Sequence, residues 1–155
     1  MALRVKQIVL CGMLMLLAAP RLLAAENPAT PTVTEQLQQA ADLYFAYQPQ
    51  ESLKKYLQIS KDTHNKDAFL NAAFIAMEQG SPKQAVDIMS AAHKYYPNDD
   101  TITEFMAEAY LADGQYSAAE MLLSLLVAQP GRAEFLYINL ARAQMGMGED
   151  KLAIY

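Results

Sequence analysis

The sequence predicts an all-α chain, an α-solenoid of antiparallel helix hairpins. Three observations carry this. From Thr34 onward, apolar residues recur at intervals of three and four, the helical period, and period-two Val/Ile runs are absent. Small residues recur every 34 positions in three columns: Gly80, Gly114 and Gly148; Ala85, Ala119 and Ala153; Ala73, Ala107 and Ala141. Helix-end signals fall at matching places in successive units. A fixed period of this length marks stacked helical units, because a single hairpin cannot bury its apolar face alone.

The elements follow in order. Residues 26–33 form a Pro/Thr-containing linker with no core-forming run. Helices are expected at about 34–47, 50–62, 66–79, 82–95, 101–112, 116–128, 133–146 and 149–155, joined by very short turns. Thr32-x-x-Glu35 and Thr101-x-x-Glu104 read as capping boxes, in which a hydroxyl and a carboxylate satisfy free N–H groups reciprocally. Ser81-Pro82-Lys83-Gln84 offers an N-cap, a proline at the first helical position and a glutamine three after the cap. Gly80, Gly114 and Gly148 fall between helices, where a left-handed residue is wanted. Pro97 and Pro130 stop the second helix of their units.

The alanine columns have a packing role. Where two helices cross, only a small side chain lets the backbones approach. Larger residues, among them Phe69, Met89, Met106, Tyr110, Leu123, Tyr137 and Leu140, fill the gaps between units. The units divide as a degenerate one over 34–65, two full ones over 66–99 and 100–133, and a partial one over 134–155. In the degenerate unit Leu37, Ala41, Tyr44 and Leu53 fall roughly in place, while Gly and Pro are missing from their columns.

Phe69, Ala73, Gly80, Ala85, Ala92 and Pro97 in one unit carry a resemblance to a known family. So do Met106, Ala107, Tyr110, Gly114, Ala119 and Leu123 in the next, and Tyr137, Leu140, Ala141, Gly148 and Ala153 in the last. The chain resembles a tetratricopeptide repeat protein of exported, bacterial type. The resemblance covers about residues 66–155, and the Trp common near the start of the first helix is absent. It implies a right-handed superhelix whose first helices line a concave groove. That groove would present Asn71, Phe74, Met77 and Glu78, then Glu104, Phe105, Glu108 and Leu111, then Phe135, Ile138, Asn139, Arg142 and Met145. Apolar anchors with amide and carboxylate groups suit a peptide or helix of a protein partner. Each also has a plainer reading: the phenylalanines as packing between helices, Glu104 as a cap, Glu78 and Glu108 as solvated face, Arg142 as an ion-pair partner. The two-carboxylate clamp of chaperone-binding relatives would fall at Leu70, Phe74, Phe105, Phe135 and Asn139, of which only Asn139 is suited.

Charge and composition narrow the function further. The 155 residues carry 12 Lys+Arg and 17 Asp+Glu, a net charge of −5. Residues 1–25 hold three of the cations and no acid, which leaves nine cations against 17 acids, or −8, for the rest. Nucleic-acid binding needs clustered cations and is disfavoured. Residues 1–25 read as a cleaved signal peptide: Arg4 and Lys6, an apolar run Ile8–Ala19, then Pro20 and Leu23-Ala24-Ala25. The alternative is a retained anchor, but the run falls short of the about 20 residues that span a bilayer. The expected location is periplasmic or secreted, with no membrane insertion after cleavage. The one cysteine, Cys11, lies in this leader, so the body has no thiolate nucleophile and no cysteine metal site.

No catalytic constellation is visible. His64 and His93 are 29 residues apart, and no HExxH, GxSxG or phosphate-loop motif occurs. Asn98-Asp99-Asp100-Thr101 reads as a turn with an N-cap rather than a cation site. The expectation is a non-enzymatic interaction scaffold in the cell envelope with no cofactor or metal. The last unit stops seven residues into its second helix, leaving Leu152, Ile154 and Tyr155 bare. A solenoid end needs a polar cap. Three readings stand: the N-terminal arm of a larger envelope machine such as a polysaccharide export or secretion protein, self-association through that helix, or fraying.

Overall fold

A computed structural model describes residues 30–131 and 133–148. The expected leader, the first half of the linker and the expected last helix with Ala153 lie outside those residues. From Pro31 the described chain is a succession of seven helices with no strand among them. They are α1 Val33–Phe45, α2 Pro49–Thr63, α3 Lys66–Glu78, α4 Pro82–Tyr95, α5 Asp100–Ala112, α6 Tyr116–Val127 and α7 Glu134–Gly146. Each differs from its expected limits by two residues at most. The first helix begins one residue inside the expected linker, because Thr32 rather than a later residue provides the cap. Its hydroxyl accepts from the Glu35 amide while the Glu35 carboxylate accepts from the Thr32 amide.

Odd-numbered helices form one layer, here termed A, and even-numbered helices a second, termed B. Each helix packs on the next. The A helices α3, α5 and α7 also pack on one another in order, more closely than successive B helices do. Two buried clusters fill it. One runs from α1 to α5 and centres on Ile59, Ile75, Met89 and Ile102; the other, around Leu123, Leu126 and Leu136, joins α5, α6 and α7. Tyr110 packs against both. Ala73, Ala85, Ala107 and Ala119 are fully buried. Among the described residues no helix is long and apolar enough to cross a membrane.

The A-to-B turns share one design. The Gly80 amide donates to the Met77 carbonyl and the Ser81 amide to Ala76; Gly114 and Gln115 repeat this on Leu111 and Tyr110. This paired closure needs a left-handed residue, and Gly80 and Gly114 have φ of 70° and 72°. The residue after each glycine both closes one helix and opens the next. Ser81 is therefore an N-cap by position only: its ψ of 59° lies outside the extended region, and its side chain makes no capping bond.

The first hairpin follows the same rule with a 33-residue offset. Tyr47 and Gln48 donate to Tyr44 and Leu43, so Tyr47 takes the glycine position, at φ 59°. Pro49 then corresponds to Pro82, Ala40 to Ala73 and Ser52 to Ala85. The proline of the Pro97 column is missing as expected, with His64 at that place, and Ala40 rather than Ala41 is the small crossing residue, fully buried. Ser52 is also fully buried, its hydroxyl donating to the Ala40 carbonyl at 2.7 Å. That bond satisfies a polar group where the later repeats have alanine.

Two of the three described B-to-A junctions are capped by side chains, while Ala133 before α7 makes no such bond. Asn65 accepts from the Ala68 amide and Asp99 from the Ile102 amide. The cap of α5 is therefore Asp99, within the expected turn, and not Thr101, which lies in the helix. Lys66 reaches Asp99 at 3.0 Å and fixes that choice. The lysine ammonium, bonded to the carboxylate, holds Asp99 below the ordinary aspartate range, with the Ile102 and Thr101 amides adding to it. Tyr96 donates to the His64 carbonyl at 2.6 Å, pinning successive B-helix ends together.

Candidate functional site

The A helices place the expected groove residues in repeat columns. Phe74, Glu108 and Arg142 occupy one column on α3, α5 and α7; Asn71, Phe105 and Asn139 occupy the column three residues earlier. The first column forms the open row. Phe74 is 40% exposed and meets Tyr44 edge-on at 6.2 Å. Glu108 is half-buried, and Arg142 is exposed. Burial raises the Glu108 carboxyl above its ordinary range, the nearby Glu104 carboxylate raises it further, and Arg142 opposes both. Along the row the surface passes from aromatic to acid to cation.

The second column turns toward the wall. Phe105 is half-buried against the first core cluster. Asn139 is buried, and its amide oxygen accepts from Arg142 Nη1 at 3.1 Å, which sets the angle of the guanidinium. Asn71 is exposed but donates to the Asp67 carbonyl of its own helix. Glu104 is half-buried one step before Phe105, and Leu111 is buried in the second cluster. Glu78 is exposed and accepts from the Tyr44 hydroxyl, which holds that phenol above its ordinary range.

Met77 is half-buried against the first core cluster, whereas the remaining groove residues are open. Phe135, Ile138 and Met145 on α7 are 44%, 55% and 56% exposed. Arg142 and Met145, with Leu111, Tyr116 and Gly146, line a cavity of about 350 Å³. Gly146 is required there: a Cβ on it would lie 2.5 Å from the Tyr116 ring.

The sequence reading passed over the turn end of the first hairpin. Tyr44, Phe45 and Tyr47 gather there beside Glu78, with Phe45 and Tyr47 largely in solvent. A signal was present: three aromatics in four residues immediately before the turn proline. Among the described residues no group of three or more His, Cys, Asp or Glu side chains could hold a metal. His64 is exposed, caps α2 in a left-handed conformation, and stacks on Tyr95 at 4.0 Å.

Comparison with known proteins agrees with this geometry. Residues 76–136 match the family model described as tetratricopeptide repeat. Over those residues the chain is a tetratricopeptide repeat, and its described helices have the tetratricopeptide-repeat-like fold. The match runs from the end of α3 to the start of α7; a hairpin of the same design precedes it, and α7 continues beyond it. Among solved structures, a double mutant of MamA RS-1 superposes with a TM-score of 0.70 at 17% identity, over 79% of this chain and 69% of that one. A tetratricopeptide repeat protein of Parabacteroides merdae gives 0.64 at 15% identity, over 81% and 50%. PilF of Pseudomonas aeruginosa gives 0.60 at 18%, over 79% and 56%. The chain thus spans about half the length of the last two. At these identities the likeness establishes the all-α repeat fold. No match was found among curated proteins. The tetratricopeptide repeat is a scaffold for protein–protein interaction.

Proposed function

We propose that this chain is an exported, non-catalytic adaptor that holds a peptide or helix of a partner protein along its A-helix face, in the periplasm or outside the cell. The observation that carries the groove assignment is the open column of Phe74, Glu108 and Arg142, flanked by exposed Ile138 and Met145. Apolar surface on this face gives a bound helix or strand its anchors. The acid and cation, already oriented by neighbours, select its charge pattern. The export assignment rests on the charge and hydropathy of residues 1–25.

Site-specific crosslinking tests the face. A photoreactive residue replacing Ile138 in the A layer should capture a discrete partner in intact cells. The same residue replacing Lys83 on α4 should not. Equal capture at both positions contradicts the groove. N-terminal sequencing of the secreted or periplasmic chain tests export; it should begin at Glu26, and a chain retained in the cytoplasm with Met1 overturns that part alone.

A further inference from the structure

We propose that the cavity at the turn end of the first hairpin is a docking pocket for an arginine side chain of a partner polypeptide. It measures about 420 Å³ and is lined by Tyr44, Phe45, Tyr47, Pro49, Ile75, Glu78 and Gln79, whose buried amide nitrogen has no hydrogen-bond partner and is open to a carbonyl of the docked chain. Its strongest feature is Tyr47. This residue adopts φ 59° at the position where the next three repeats place Gly80, Gly114 and Gly148. Glycine takes that conformation freely and a tyrosine is strained in it. The Tyr47 ring is 94% exposed, so it returns almost nothing to the core. Packing therefore does not account for an aromatic here, and strain that packing does not explain points to a ligand.

The surroundings define the ligand. Phe45 is 76% exposed, and Tyr44 meets it edge-on at 5.8 Å, so the wall presents aromatic rings in more than one plane. The Glu78 carboxylate sits in the lining, positioned by the Tyr44 hydroxyl and still offering lone pairs. Helices α1 and α3 end beside the cavity, at Phe45 and Glu78, and α2 begins there at Pro49, so the helix dipoles offset one another and the Glu78 carboxylate is the charge that decides. No cationic residue lines it. Ring faces and a carboxylate favour a cation. A guanidinium meets them best: it is flat, stacks on rings, forks toward a carboxylate and sheds water more readily than an ammonium. The pocket shares only Glu78 with the groove residues proposed above and stands or falls independently of them.

The test titrates the isotope-labelled chain with three peptides, acetyl-Gly-X-Gly-amide with X as arginine, its neutral isostere citrulline, or lysine. The arginine peptide should shift the amide resonances of Tyr47 and Gln79 saturably, the lysine peptide should bind more weakly, and the citrulline peptide should leave them unchanged. Tyr47→Gly should weaken arginine binding about fivefold or more, and Glu78→Gln should weaken it as well. Tyr47→Gly should also unfold a few degrees higher, because it restores the turn glycine. Arg142→Glu, in the groove, should bind the peptide as the native chain does. Equal shifts with citrulline, or undiminished binding by Tyr47→Gly, overturn the pocket. Lysine binding as tight as arginine overturns the assignment to a guanidinium. A lower melting temperature for Tyr47→Gly overturns the strain argument by showing a structural role for the ring.

Discussion

Glu108 sits in the middle of the open row with its carboxyl held above the ordinary value, by burial first and by Glu104 second. The protonated form therefore suits the folded chain better than the unfolded one. Its stabilising contribution is complete below the unfolded value of 4.5 and is lost as pH rises through the raised folded value. Glu108→Gln fixes the neutral form, so it is expected to melt higher than the native chain at neutral pH. The difference should vanish well below 4.5. Thermal unfolding at the two pH values measures this, and a destabilised variant at neutral pH would show that the carboxylate is held by stronger attraction than Arg142 provides. At this scale the sequence was legible where one residue type answers one backbone need. Gly80 and Gly114 were readable because a left-handed turn admits little else. The cap of α5 was not, because Asp99, Asp100 and Thr101 are all acceptable caps and only the distant Lys66 singles out Asp99. Asn139 was placed on the groove face one helical step from exposed Ile138. That step of about 100° carries it into the wall.

The element scale is governed by close crossings of A and B helices. Ala107 on α5 has no exposure, and its neighbours Leu123 and Leu136 belong to the same buried cluster. Ala107→Leu should overpack the crossing and cost about 1–3 kcal/mol, read from chemical denaturation. The loss should exceed that of Ala112→Leu on the exposed side of the same helix. The repeat period was legible because these crossings recur at fixed spacing and tolerate only small side chains. The first hairpin escaped a strict 34-residue register because it is one residue shorter. It also uses Tyr47 for glycine and Ser52 for alanine, and the serine hydroxyl is accommodated by a bond to the Ala40 carbonyl. Conserved geometry with altered chemistry is invisible to a comparison of residue types.

Across the whole molecule, the two buried clusters make stability local, as expected for a stack in which each unit leans on its neighbours. Leu123→Ala removes a fully buried side chain from the second cluster and should cost about 2–5 kcal/mol. Hydrogen exchange should then accelerate in α6 and α7 while α2 to α4 keep their protection; uniform acceleration would show a single cooperative core. The open row of Phe74, Glu108 and Arg142 gives the stack one face suited to a partner, and that face is the central claim. The most direct measurement is affinity capture from an extract of the native cells with the intact chain beside a Phe74→Ser/Arg142→Glu variant of unchanged circular dichroism. The account predicts a discrete protein retained by the intact chain and lost from the variant. Recovery of the same proteins in the same amounts by both would contradict it.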